Sequence, residues 1–355
     1  MLLRLLCVAL LLQLSLAWVA GGSSKPSKTG TSSSSSSSTA KFYSTIAPEE
    51  ATKAAIKVVL SPTTAKNSLH KAKQLPWIVE GDESSTETTS FLDHWSWQLE
   101  FFEEHLANLR VQSLENVDPS VRELYYTTKD EEKEDKATQR VYTISLESDE
   151  YRDIRMTYIH CSGMETFRCL SYPRHGDLPI QGMFVMKMGG CKNLSIMDYQ
   201  PLPAWNGKTA NINEIYSEQL LGLRSQIPTM SQPMTHRHFD SDEERKYFSD
   251  LPILGRCNEL EATREEQEDF VANLWKAQKQ YMKTHVSLTK SFTTIGSGSG
   301  SSSDAAEYTL ERHSDFDAHV SEKEPAGPFL KSVFGPELGG KIHHKVIFPL
   351  SGSNP

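Results

Sequence analysis

The chain has 355 residues, a formal net charge of −9 and five cysteines. The acidic balance argues against a general nucleic-acid binder. No cysteine pair has CxxC spacing, so neither a zinc ribbon nor an iron–sulfur cluster is indicated, and no GxGxxG or P-loop pattern offers a nucleotide site.

Residues 1–20 carry one arginine, an apolar run and a small-residue exit at Ser15-Leu16-Ala17, the pattern of a signal peptide too short for a membrane span. Residues 21–90 are mostly Ser, Thr, Ala and Lys with few acids, a composition that buries too little apolar surface to fold. They read as transit-peptide-like sequence and Ser-rich linker. With Trp18 after the cut, the pair resembles the two-part address of a complex plastid; plain secretion is the alternative. The folded domain is then expected over 91–350.

Within it, Ser90 to Leu109 places Phe91, Trp95, Leu99, Phe102, Leu106 and Leu109 at helical spacing. The charge run at 129–136 reads as a solvated loop. Strands are expected over Val141–Leu146, Ile154–His160, Glu165–Tyr172, Gly182–Met188 and Leu194–Tyr199, with Gly163, Pro173, Gly176, Pro179 and Gly189-Gly190 between them. Such closely spaced turns indicate an antiparallel sheet rather than βαβ crossovers. A helix follows over Ala210–Leu223, then a strand over Tyr247–Leu254 and a long amphipathic helix over Glu265–Leu288 carrying Phe270, Leu274, Ala277, Tyr281 and Val286. Gly296–Ser303 reads as a flexible linker, part of a Gly/Ser insertion at about 294–304, and Pro328–Phe348 ends the fold. The expected architecture is an α/β/α three-layer sandwich, a central antiparallel β-sheet flanked by helices on both faces.

The specific signal lies in a series of short motifs. Ser171-Tyr-Pro-Arg-His-Gly-Asp177-Leu-Pro-Ile-Gln-Gly182 is followed by Asn193-Leu-Ser-Ile-Met-Asp198-Tyr-Gln-Pro-Leu202. His94-Trp-Ser-Trp-Gln98 stands before them; His236-Arg-His-Phe-Asp240, Tyr247-Phe-Ser249 with Arg256, Glu322-Lys-Glu-Pro-Ala326, Phe334-Gly335 and Ile347-Phe-Pro349 come after. In this order and spacing they resemble the ferredoxin-dependent bilin reductases, the family of the phycoerythrobilin, phycocyanobilin and phytochromobilin synthases. The resemblance implies that a bilin lies between the sheet and the C-terminal helices. It implies an oxidoreductase acting on CH–CH groups of biliverdin or 15,16-dihydrobiliverdin, with no bound cofactor. External reduced ferredoxin supplies single electrons, carboxylic acids supply protons, and the intermediate is a radical. A bilin protonated in a low-dielectric pocket is easier to reduce, because the added electron meets a compensating charge. Ferredoxin and the bilin are the expected partners of a monomer, with another bilin reductase or a bilin lyase as a further one. The Trp-Ser-Trp-Gln motif favours phycoerythrobilin-type pigment synthesis.

The departures from the family pattern bear on activity. Many members carry an Asp two residues after the motif Gly; here that residue is Phe184, which has no proton to give. Others place the acid on the neighbouring strand; here that residue is Arg168, a poor proton donor suited to a propionate or a lactam carbonyl. The family Asp before Pro-Ala is Glu324, the leading candidate for proton donor. Asp177 and Asp198 are further candidate acids, although Asp177 suits shaping a turn and Asp198 suits satisfying backbone donors. Arg237 matches the family's propionate-binding arginine, with Lys323 as support. Asn193 and Arg256 complete the expected substrate contacts. His236, His238, His343 and His344 are not read as a metal site, since no acid or cysteine cluster completes one. The Met183–Met188 strand suits a large flat ligand or a packed core equally. Two rival functions remain: a non-catalytic bilin carrier on the same fold, and a reductase of another linear tetrapyrrole such as a chlorophyll catabolite.

Overall fold

Seven strands pair in sequence order as an antiparallel meander: β1 (Arg110–Val111), β2 (Arg140–Glu147), β3 (Tyr151–Cys161), β4 (Met164–Pro173), β5 (Ile180–Met188), β6 (Lys192–Gln200) and β7 (Ile253–Asn258). They belong to a computed structural model that describes residues 75, 90–112, 140–161, 163–202, 212–227, 246–249, 252–296, 303–324 and 326–352. The charge run at 129–136, Arg237, His236 and His238 lie outside the described residues.

Because side chains alternate along a strand, the register assigns each residue to one of two faces. Tyr158, Phe167 and Val185 share a row on the first face. That face packs against α1 (Leu92–His105), α2 (Ile212–Gln226) and α3 (Arg264–Gly296) in a core containing Trp95, Leu99, Phe102, Tyr216, Leu274 and Tyr281. The start of α1 is tied to β4, where the Glu165 carboxylate accepts from Ser90 N–H at 2.9 Å. At the start of α3, Thr263 and Glu266 form a reciprocal capping box: Glu266 N–H donates to Thr263 Oγ1 at 3.2 Å and Thr263 N–H to Glu266 Oε2 at 2.7 Å.

The second face meets α4 (Ser303–Lys323), α5 (Ala326–Phe334), α6 (Pro336–Lys341) and a π-helical turn (Ile342–Ile347). Leu170, Tyr172 and Ile180 of the sheet pack there with Phe316, Val320, Leu330, Val346 and Phe348. The expected three-layer sandwich is therefore present. Two close approaches shape it. A Cβ on Gly182 would stand 2.7 Å from Gln200 Oε1, and one on Gly339 would run into the backbone of Leu330, so α5 and α6 pack backbone to backbone.

Three expectations change. Tyr247–Ser249 is not strand; the last strand starts at Ile253 and runs to Asn258, because Tyr247 is buried from a turn against Phe316 rather than from the sheet. The long helix continues past Leu288 to Gly296. Ser303–Lys323 is a full helix although no apolar stripe announces it, so only 297–302 of the expected insertion lies outside the described residues.

Candidate functional site

The two faces of β4–β7 differ. On the first face Phe167, Met183, Val185 and Met197 are buried. On the second, Arg168, Phe184, Met186, Leu194, Ile196 and Arg256 are only half-buried. The register sets them in two adjacent rows: Thr157, Arg168, Phe184, Ile196 and Leu254 in one, Ile159, Thr166, Met186, Leu194 and Arg256 in the next. A contiguous apolar surface flanked by two arginines, left partly open where the opposite face buries Phe167, Met183, Val185 and Met197, has the character of a ligand site. Burial lowers the pKa of Arg256.

The C-terminal layer borders one side of this face with an ion pair. Arg168 Nη1 donates to both oxygens of Glu324, at 2.6 and 2.8 Å, and its guanidinium carbon lies 4.7 Å from the centre of the Phe348 ring. The two candidates named from opposite ends of the domain are thus partners, and both Glu324 oxygens are engaged as acceptors. Beside them His343 is buried, its Nε2 at 2.7 Å from the Ser321 carbonyl. Nε2 therefore carries the proton, and Nδ1 is buried with no hydrogen-bond partner among the described residues. Burial lowers the His343 pKa, opposed by the Ser321 carbonyl and Glu324.

The other expected residues are spread more widely. Asp198 shares the second face but accepts from the Ser249 N–H at 2.8 Å and from the Ser249 hydroxyl, fastening the turn before β7. Asp177 accepts from Tyr308 Oη at 2.6 Å and Arg312 Nη1 at 2.8 Å, fastening the first half of α4. Asn193 is on the first face, where it donates to Glu259 at 2.7 Å, so the sheet separates it from Phe184 and Arg168. Lys323 is exposed at the end of α4 and pairs with Glu322.

A second polar cluster, not anticipated from sequence, lies between α4 and β3–β4. A register irregularity between Tyr151 and Asp153 marks a bulge, and Arg152 there reaches His313 Nδ1 at 3.1 Å. Asp317, fully buried, accepts from Tyr172 Oη at 2.7 Å and Leu350 N–H at 3.0 Å. Burial pushes its pKa up to about 6, with these two hydrogen bonds and Arg155 and Arg152 holding it back. Arg155 is buried and paired with Asp153 at 2.6 Å. The four described cysteines are free thiols.

The family model described as "Ferredoxin-dependent bilin reductase" matches residues 104–349. The chain is 24% identical over 207 residues to a 15,16-dihydrobiliverdin:ferredoxin oxidoreductase of Nostoc punctiforme, covering 57% of this chain and 75% of that one. It is 27% identical over 212 residues to the protein of the same name from Prochlorococcus marinus, covering 58% and 79%. A crystal structure of phytochromobilin synthase from tomato, in complex with biliverdin, shares the fold with a TM-score of 0.54 at 20% identity, covering 75% of this chain and 86% of that one.

Proposed function

The chain belongs to the ferredoxin-dependent bilin reductase family of oxidoreductases, and from that premise we propose that it reduces biliverdin or 15,16-dihydrobiliverdin on the half-open face of its sheet. One observation carries the reading: Phe184, Met186, Leu194 and Ile196 present a half-buried apolar surface beside Arg168 and Arg256. A flat, largely apolar tetrapyrrole with polar edges matches that surface. The names of the cyanobacterial relatives favour 15,16-dihydrobiliverdin as substrate.

In this reading reduced ferredoxin delivers electrons singly, the enzyme holds no cofactor of its own, and the intermediate is a bilin radical. Of the three candidate acids, Glu324 borders the half-open face through Arg168. We assign it proton delivery to the bilin: it takes up a proton, releases the guanidinium and hands the proton on. Asp177 and Asp198 serve as fasteners. The protein acts as a monomer in a complex plastid, reached by the two-part leader, and passes its product to another bilin reductase or a bilin lyase. A second reading, a bilin carrier without reductase activity, draws support from the same ion pair, since Arg168 and Phe184 occupy both places where the family resemblance expects an acid.

The deciding experiment mixes the chain with biliverdin or 15,16-dihydrobiliverdin, then adds ferredoxin and a reducing system under low oxygen. A shifted bilin spectrum followed by loss of the substrate band supports the reductase. Binding without conversion selects the carrier. No spectral change on mixing refutes both. In Glu324→Gln, turnover should fall by about 100-fold while binding persists; undiminished turnover removes the proton-donor role.

A further inference from the structure

Arg168 stands in the central row of the half-open face, between Thr157 and Phe184. Its hydrogen bonds to Glu324 run through Nη1 alone. Among the described residues, Nε and Nη2 have no protein partner, although the side chain is only 12% exposed. The guanidinium is nevertheless held fast, by Glu324 from the end of α4 and by the Phe348 ring beneath it. A planar fork of N–H donors, fixed in place and unspent, recognises a pair of oxygen atoms. Its charge is already balanced by Glu324, so it favours neutral carbonyl oxygens over a second carboxylate.

We propose that Arg168 is a catalytic residue whose Nε and Nη2 donate hydrogen bonds to lactam oxygen of the bilin and stabilise the negative charge placed there by the first electron, with Glu324 holding the fork in place until, after that electron has arrived, it takes up and delivers its proton. This rests on the reading of the chain as a bilin reductase. One reduced ferredoxin gives up one electron and is oxidised; the bilin becomes a radical anion with charge on a lactam oxygen. A proton neutralises it. A second reduced ferredoxin gives the second electron, and a second proton completes saturation of one carbon–carbon double bond. Arg168 gives up no proton at any stage. Its contribution is a fixed dipole at the atom where charge develops, the role of an oxyanion hole. It also accounts for a phenyl ring at position 184: beside a charge-stabilising fork, an apolar neighbour excludes water and strengthens the interaction.

The test compares wild type, Arg168→Gln and Arg168→Lys with biliverdin, 15,16-dihydrobiliverdin and their dimethyl esters. In Arg168→Gln, kcat should fall by about 100-fold or more, while affinity changes by less than about tenfold. The reduction potential of the bound bilin should become more negative, a readout that a merely structural role would not move. Should Arg168→Gln fail to fold, Arg168→Lys keeps the charge without the fork, and its kcat should fall while KM holds. Esterifying the propionates should weaken binding equally in wild type and in the variants, because independent contacts are additive. An ester effect that disappears on replacing Arg168 would place a propionate on the fork and overturn the proposal. So would turnover and potential unchanged in the variants while the wild type reduces bilin. A wild type that binds no bilin would instead overturn the proposed function, and this inference with it.

Discussion

Glu324 and Asp317 stand two helical turns apart along the second helical layer, and what surrounds each sets its use. Glu324 meets a guanidinium and is held as an acceptor at the edge of the half-open face. Asp317 meets a tyrosine hydroxyl and a backbone N–H in a fully buried setting, and its pKa rises to about 6 from an ordinary 3.8. The folded chain keeps the Asp317 proton over a range where an unfolded chain has released it. This contribution to stability is therefore complete below about pH 4 and is lost as the pH rises through about 6, on the order of 3 kcal/mol across that window. Replacing Asp317 with Asn should flatten the pH dependence of the thermal midpoint between about pH 4 and 6; an unchanged slope would mean that another group titrates there. Arg168, Phe184 and Glu324 were legible as candidate residues because each falls at a fixed place in a motif. Their pairing was not legible, because nothing in a sequence says which side chains from residues 168 and 324 will meet. Asn193 and Asp198 illustrate the converse. Five positions apart on one strand, they fall on opposite faces, a parity that only the register makes certain.

At the scale of elements, helix α4 exposes the limit of hydrophobic periodicity. Its buried side consists of Thr309, Arg312, His313, Phe316, Asp317, Val320 and Ser321. The helical spacing is present, but most of these residues are polar, so a search for apolar stripes passes over them. Strands β2–β6 and helices α1–α3 were readable because apolar residues recur at the period of the element along their buried sides, even though polar residues such as Gln98, Asp153 and His285 are buried among them. The strand misplaced onto Tyr247 has the same root: burial by a turn and burial by a strand look alike in a short apolar run. Two substitutions test how elements are joined. Thr263→Ala removes one half of the capping box on α3 and should cost about 1 kcal/mol, read as a lower urea midpoint at constant slope. Gly339→Ala forces a methyl group into the Leu330 backbone and should cost about 2–3 kcal/mol; a wild-type midpoint would show that α5 and α6 can separate at no penalty.

At the scale of the whole molecule, the sandwich is asymmetric. One helical layer seals its face of the sheet with aromatic and aliphatic side chains. The other leaves β4–β7 partly open and contributes the ion pair, the buried histidine and Phe348 along one side. The second face is thus packed by the C-terminal layer over one part and half-open over the other, and the proposed function places the bilin on the open part. Titrating biliverdin into wild type and into Ile196→Glu, and following bilin absorbance, tests this most directly. Ile196 is half-buried in the central row, so a carboxylate there should leave the melting temperature within a few degrees of wild type while weakening binding by about 100-fold or more. Binding of wild-type strength in a folded Ile196→Glu protein would place the bilin elsewhere than on the half-open face.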